Sequence, residues 1–389
     1  MKILYIVDYY QPKLGYASYY IPKELAKMKH DVYILTSDHY YPFPNYSETT
    51  GKILGDRKVG NGVTRVEHVT IIRKKLVTEL FTRAIFGGQE ETIRKIRPSV
   101  VIVDKTAGYS QIVACLLKDK YKYRLISVDA HLPSGFEAEG NQLAKTAFYW
   151  LFRLFFSKLI NSKVDKFIPV QEETETIMKK YYGVNRNIKH IPLGTDVALF
   201  KRSVKQGSII RKKYNLKKSD FVIVYTGKII KEKGVDILFK ALSILSLKYT
   251  NIKLLLVGSG PQDYLDYCFS RIDATFRNRV IVTGFVLAAE LPKYYSAATI
   301  GVWPLQESMS MNDAASCALP FIANNKIGAR YRIKSGCAVL YTKGSSHDLA
   351  KKIETLYRDP KKIIAMGIKG SLFMKKELSW ARIAAKYID

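Results

Sequence analysis

Cysteine is scarce in this sequence: four residues in 389, at 115, 268, 317 and 337, with no CxxC pair among them. That spacing excludes a disulfide scaffold and a zinc ribbon, and fits a reducing compartment. Acidic residues are also few. Lys and Arg number 63 against 34 Asp and Glu, which leaves a formal charge of +29. Long hydrophobic runs are missing. The most apolar stretch, Ala147–Ile160 (AFYWLFRLFFSKLI), carries Arg153 and Lys158 and falls short of the about 20 apolar residues a bilayer crossing requires. The opening MKILYIVD is too short for a signal-peptide core and meets Asp8 at once. A soluble or peripheral, cytoplasmic protein is therefore expected. No GxxxxGK[ST] occurs, no GxGxxG follows the first apolar run, and HExxH, GxSxG and the kinase set are absent. Six dispersed His make a dedicated metal site improbable, so no metal and no cofactor are expected. RNP aromatics and a helix-turn-helix are lacking as well, so no specific nucleic acid is expected despite the charge.

What is present is an alternation. Apolar, β-branched runs bounded by turn residues recur at 2–8, 31–37, 99–104, 123–129 and 166–170, and again at 221–227, 252–258, 279–284, 299–304 and 320–324. Continuous rather than alternating apolar strands imply burial on both faces, as in a parallel sheet. Helical patterns lie between them, over 18–28, 91–96, 173–182, 235–248 and 346–357. The fold class is thus α/β, with two doubly wound parallel sheets facing a central cleft. The pattern restarts after Phe200, and the basic stretch Lys201–Ser219 reads as a linker with a short solvated helix. The boundary is placed near Gly194–Ser203, giving domains at 1–195 and 196–370. A final helix at 371–389 is expected to cross back to the first domain.

The second half carries the chemistry. Tyr225–Ile237 (YTGKIIKEKGVDI) reads as a strand, a turn at Gly227, Lys228, a basic loop with Lys233, and a helix. A small residue after a strand admits a ligand to the backbone, and two lysines at a helix mouth suit a diphosphate. The plainer reading is that these lysines are ordinary solvated charges of a basic protein. Downstream, in order, come LLLVGSGP (254–261), VTGFV (282–286), AELPKYYSAA (289–298), WPLQESMS (303–310) and DAASCALPFIAN (313–324). As an ordered set these resemble glycosyltransferase family 4 (glycosyl transferases group 1), of the GT-B fold with two Rossmann-like domains. The first half agrees more loosely, through His30–Ser37, Val128–His131 (VDAH) and His190–Phe200 (HIPLGTDVALF).

The resemblance implies roles. Lys228 and Lys233 would hold the donor diphosphate, with Gly227 in the turn before them. Asp313 would bond the ribose hydroxyls, the segment at Phe285 and Val286 would read the base, His131 would touch the donor sugar, and Gly15 would approach the diphosphate from the first domain. Anomeric configuration would be retained and the departing phosphate would help deprotonate the acceptor, so no side-chain base is named. Three departures stand out. The first-domain loop has one glycine where the family usually has two. The family puts seven residues between two acids, whereas Glu307 and Asp313 have five between them. Either Glu307, Ser308 and Ser310 replace the usual sugar contacts in a shorter loop, or the first acid is lost. Ala318 stands where glycine is expected.

The reading that follows is a retaining, metal-independent hexosyltransferase that takes a UDP- or GDP-sugar to a glycan or lipid-linked acceptor. The surplus charge points to an anionic membrane surface as a further partner. The alternative is a catalytically weakened GT-B scaffold that binds an anionic membrane or polyanion. Residues 147–160 are apolar nearly all round, which favours interior packing over docking on lipid headgroups. Arg65, Arg73, Lys74, Lys75, Arg83, Arg94, Lys95 and Arg97 are more suggestive of such docking, several lying within a turn or two of one another, although most charge runs are simply solvated faces. Cys317 and Cys337 read as small core residues.

Overall fold

The structure is a computed structural model that describes residues 1–12, 14–43, 46–47, 50–80, 82–130 and 142–389, without the side chains of 142–145. It forms two compact units, Met1–Leu193 with Trp380–Asp389, and Gly194–Ser379.

The first unit contains β1 (Lys2–Ile6), β2 (Asp31–Ser37), β3 (Gly62–Val66), β4 (Val69–Lys74), β5 (Leu76–Leu80), β6 (Arg83–Phe86), β7 (Val100–Asp104), β8 (Arg124–Asp129) and β9 (Lys166–Pro169). Seven strands make one sheet in the order β3-β4-β2-β1-β7-β8-β9, parallel but for the β3–β4 pair, while β5 and β6 pair separately. The apolar run of β1 occupies the centre, with Leu4 opposite Tyr33 on one side and Val101 on the other. Helices α1 (Ala17–Lys27), α2 (Gln89–Ile96), α3 (Tyr109–Tyr121), α4 (Gln142–Lys163) and α5 (Glu172–Tyr182) follow in the connections. Charge placement supports them: α2 has Glu90 and Glu91 in its first turn and Arg94 and Lys95 in its last, matching the helix dipole.

The basic set does not behave as one solvated face. Arg73 is buried and donates to the carbonyls of Ser37 and Tyr10, and Arg83 is buried and donates to Ala107 O and the Tyr149 hydroxyl. Nor is the 147–160 stretch interior all round. Tyr149, Phe152 and Ile160 are buried, whereas Trp150, Leu151, Leu154 and Phe155 face solvent.

The second unit contains α6 (Val204–Lys213), β10 (Phe221–Thr226), α7 (Val235–Ser246), β11 (Ile252–Val257), α8 (Gln262–Phe269), β12 (Val280–Gly284), α9 (Leu291–Ala297), β13 (Ile300–Trp303), α10 (Ser310–Ser316), β14 (Phe321–Asn324), β15 (Ala338–Tyr341), α11 (Ser346–Tyr357) and α12 (Pro360–Glu377). Its sheet is wholly parallel in the order β12-β11-β10-β13-β14-β15, the Rossmann arrangement. The stretch 201–219 is part of this unit rather than a linker. Ser203 caps α6 by accepting from Gln206 N, Ile210 is buried, and Gly207 lies so close to Ser296 O that a Cβ would meet it at 2.5 Å. All four cysteines are buried and free.

The C-terminal segment divides at 379. Residues up to Glu377 complete α12 in the second unit, and α13 (Trp380–Ile388) belongs to the first. There Trp380 stacks on Tyr20 with ring centroids 5.0 Å apart, and Arg124 donates to Ile388 O. Among the described residues, no helix is long and apolar enough to cross a membrane.

Candidate active site

In open parallel sheets, ligands bind beyond the carboxyl ends of the strands, where connections diverge to the two sides. In the second unit that point lies between β10 and β13, with β11 and β12 on one flank and β14 and β15 on the other. Gly227 and Lys228 follow β10, and Pro304–Ser308 follow β13, so both loops singled out in the sequence meet there.

The turn after β10 is fastened from three sides. Gly227 N donates to Val257 O at 3.0 Å, Ile229 N to Ser259 O at 2.9 Å, and the Tyr225 hydroxyl to Lys228 O at 2.6 Å. Gly258 sits against it with φ +149°, and a Cβ there would lie 1.8 Å from Gly227 O. Gly234 ends the loop in the left-handed region at φ +68° and begins α7, with the Leu305 side chain packed on its Cα. These contacts leave the Lys228 side chain exposed, with no protein partner among the described residues. Lys233 is half-buried and its Nζ points to Glu307 O at 3.5 Å. Burial, and then the charge of nearby Lys228, hold its ammonium below the ordinary lysine value. Two cations are thus crowded together with no carboxylate on either, an arrangement that an anion would relieve.

The loop after β13 is equally constrained. Trp303 Nε1 donates to Thr226 O at 2.9 Å, and Asn324 Nδ2 donates to Pro304 O and Leu305 O. Leu305 occupies the position separated from Asp313 by seven intervening residues, and its side chain lies on Gly234. Glu307, two residues later, turns to a different partner. Its carboxylate pairs with the buried Arg332 and accepts from Gly328 N and from Ala329 N at 3.1 Å. Arg332 Nε also donates to Asn312 Oδ1 at 3.1 Å. Ser308 Oγ accepts from Ser310 N at 3.2 Å, at the start of α10. Asp313 Oδ1 accepts from the Thr195 hydroxyl at 2.6 Å, and burial pushes its carboxyl up to about 7 despite that bond.

Phe285 and Val286 follow β12, with Phe285 66% exposed, so an apolar platform stands ready at that strand end. Gly227, Lys228, Lys233, Glu307, Ser308, Ser310 and Asp313 therefore gather on one edge of the second unit. Gly15 lies in the first unit, in the left-handed region at φ +72° before α1, and His131 lies outside the described residues. Arg332 and Thr195 were not legible as site residues. Thr195 stands in the HIPLGTDVALF segment that marks the boundary, whereas nothing around Arg332 separates it from the other cations.

Residues 220–359 match the family model described as Glycosyl transferases group 1. The GDP-mannose-dependent alpha-(1-6)-phosphatidylinositol monomannoside mannosyltransferase of Mycolicibacterium smegmatis is 24% identical over 243 residues, covering 59% of this chain and 63% of that protein. The chain thus matches about three-fifths of the length of such curated relatives. Among solved structures, sucrose-phosphate synthase of Thermosynechococcus elongatus aligns with a TM-score of 0.69 at 18% identity, covering 99% of this chain and 96% of that one. HepE of Anabaena in complex with UDP aligns with a TM-score of 0.69 at 16% identity, covering 99% and 98%. The strand orders and these alignments show two Rossmann-like domains of the GT-B fold, the second of which carries the match to glycosyl transferases group 1.

Proposed function

We propose that this protein is a retaining glycosyltransferase that transfers a hexose from a UDP- or GDP-sugar to a glycan or lipid-linked acceptor. The observation that carries the reading is the crowding of Lys228 and Lys233 beside the Gly227 turn, at the divergence point of the sheet. Departure of a nucleoside diphosphate leaves negative charge on its β-phosphate. Two fixed cations stabilise that charge in the transition state more than in the ground state, which is the condition for catalysis. They also supply the neutralisation for which other transferases use a divalent ion, so turnover that persists in excess chelator is expected. In this reading Asp313 takes the ribose hydroxyls, exchanging or sharing its bond to Thr195, and the strand end at Phe285 and Val286 receives the base. Ser308 and Ser310 face the sugar, while Glu307 positions its loop through Arg332. His131 and Gly15 keep their assignments to the sugar and the diphosphate.

Relatives that use GDP-mannose on phosphatidylinositol mannosides, and a neighbour solved with UDP, support this choice of donors and of a lipid-linked acceptor. Such an acceptor would hold the protein at the periphery of a membrane. The test is a thermal-shift screen with UDP, GDP and ADP followed by sugar release from matching donors, because a ligand that binds only the native state raises its melting temperature. One nucleotide should stabilise and its sugar should be released. No stabilisation and no release across the panel would refute the proposal. A second reading, a scaffold of weakened activity, draws on the capture of Glu307 by Arg332; donor binding without any sugar release would favour it.

A further inference from the structure

Helix α4 is two-faced. Tyr149, Phe152 and Ile160 are buried in the first unit, where Phe152 and Tyr149 pack on Tyr182 of α5. The other face is apolar yet exposed, with Trp150 at 61%, Leu151 at 45%, Leu154 at 60% and Phe155 at 67%. Residues at these spacings form a single stripe along a helix. Soluble surfaces scatter such residues singly, and a contiguous stripe marks a contact surface. Beside the stripe runs a groove of about 260 Å³, lined by Leu80, Ile112, Phe148, Phe156 and the inner edges of Leu151 and Phe155. Its lining is almost wholly apolar, so water there finds few partners.

The charges on the helix itself are of one sign. No acidic residue occurs from Gln142 to Lys163, while Arg153 and Lys158 flank the stripe, exposed. Lys158 has no ion pair among the described residues. Arg153 donates to Lys180 O at 2.7 Å, which brings the exposed C-terminal end of α5 alongside, with Lys180 and with Lys179 paired to Glu175. An exposed apolar stripe edged by cations, on a helix that has no carboxylate of its own, matches the boundary between acyl chains and anionic headgroups.

We propose that this face of α4 docks flat on an anionic lipid bilayer, with its cations on lipid phosphates and one hydrocarbon chain seated in the groove. The charge sign selects this occupant over an apolar protein surface, and the helix is too polar to cross the bilayer instead. The inference deepens the proposal of a membrane-bound acceptor. It is tested without any acceptor, so that sugar release from the donor stands or falls separately.

The experiment is co-sedimentation of the full chain with vesicles of equal parts phosphatidylcholine and phosphatidylglycerol, against vesicles of phosphatidylcholine alone. Wild type should bind the anionic vesicles. Leu154→Ser/Phe155→Ser should weaken binding by about tenfold or more, since both side chains leave lipid. Arg153→Glu/Lys158→Glu should weaken it by about fivefold or more per residue, and only at low salt. Brominated lipid should quench the wild type's fluorescence and quench Trp150→Phe less. All four residues exchanged for Ser or Glu are exposed, and a melting temperature and donor hydrolysis matching wild type show that the variants are folded. Equal sedimentation of wild type and both double variants would overturn the inference, as would absence of wild-type binding. A wild-type dimer that Leu154→Ser/Phe155→Ser dissociates would also overturn it, because a second copy would then cover the stripe.

Discussion

Replacement of Gly258 by alanine tests the site at its narrowest contact. The added Cβ would lie 1.8 Å from Gly227 O, so the turn carrying Lys228 must retreat by about 1.6 Å to reach ordinary contact. It cannot do so freely, because Gly227 N, Ile229 N and the Tyr225 hydroxyl all tether it. The backbone at φ +149° adds strain of order 1–3 kcal/mol for a residue with a side chain. Overpacking adds about 1–3 kcal/mol more. Gly344→Ala is the matched control. It too has positive φ, +84°, but no atom lies within 4 Å of its added Cβ, so it should lose only the strain. For a unit of this size each kcal/mol lowers the melting temperature by about 2–4 °C. Misplacement of a charge-stabilising group by about 1 Å costs on the order of 100-fold in rate. Gly258→Ala should therefore bind nucleoside diphosphate more weakly in calorimetry and release sugar about 100-fold more slowly, whereas Gly344→Ala should match wild type in both. If both variants keep wild-type affinity and turnover, the packed glycine contact does not place Lys228 and the reasoning fails.

Other consequences concern the charged groups. Lys228→Ala and Lys233→Ala should each lower turnover by roughly 100-fold or more with little change in melting temperature, as expected on loss of an electrostatic stabiliser; near-normal transfer by both would remove the diphosphate assignment. Arg332→Met leaves the half-buried Glu307 carboxylate on two backbone amides, and should cost about 3 kcal/mol in urea unfolding. Adding Glu307→Gln should recover most of that loss, and a double variant no more stable than the single one would show the pair is not the cause. Asp313 retains its proton in the native state up to about pH 7 but releases it near pH 4 once unfolded. Its contribution to stability is thus full below about pH 4 and is lost as pH rises to about 7, so the melting temperature of Asp313→Asn should gain on wild type across that window. Parallel curves would show that burial does not raise this carboxyl.

The sequence and the structure agree where apolar runs are continuous. β1, β7, β10 and β11 are buried on both faces, so composition alone marks them as central strands. The region 62–86 escaped detection for the opposite reason. Every residue of β3 is exposed and so are three of the five in β5, so neither segment reads as a buried strand. Hydrogen bonding between strands holds them, and that leaves no apolar signature. The turn holding Lys228 and Lys233 was legible because glycines and cations cluster in one stretch of chain. The pairing of Glu307 with Arg332 was not, because it joins residues 25 positions apart through a fold-dependent contact. The two faces of α4 were likewise beyond reach, since aromatic residues occupy both and only packing decides which are covered.

Helix α13 bears on the order in which the protein matures. It packs on α1, buries Trp380, Ile383 and Tyr387, and belongs to the first unit, yet it follows the whole of Gly194–Ser379 in the chain. At a synthesis rate of about 5–20 residues per second, the ribosome spends roughly 10–40 s on that intervening stretch. For that time the Tyr20 ring has no Trp380 to stack on, and the first unit waits incomplete while the second is able to fold. The unit that begins the chain is therefore the last to be finished.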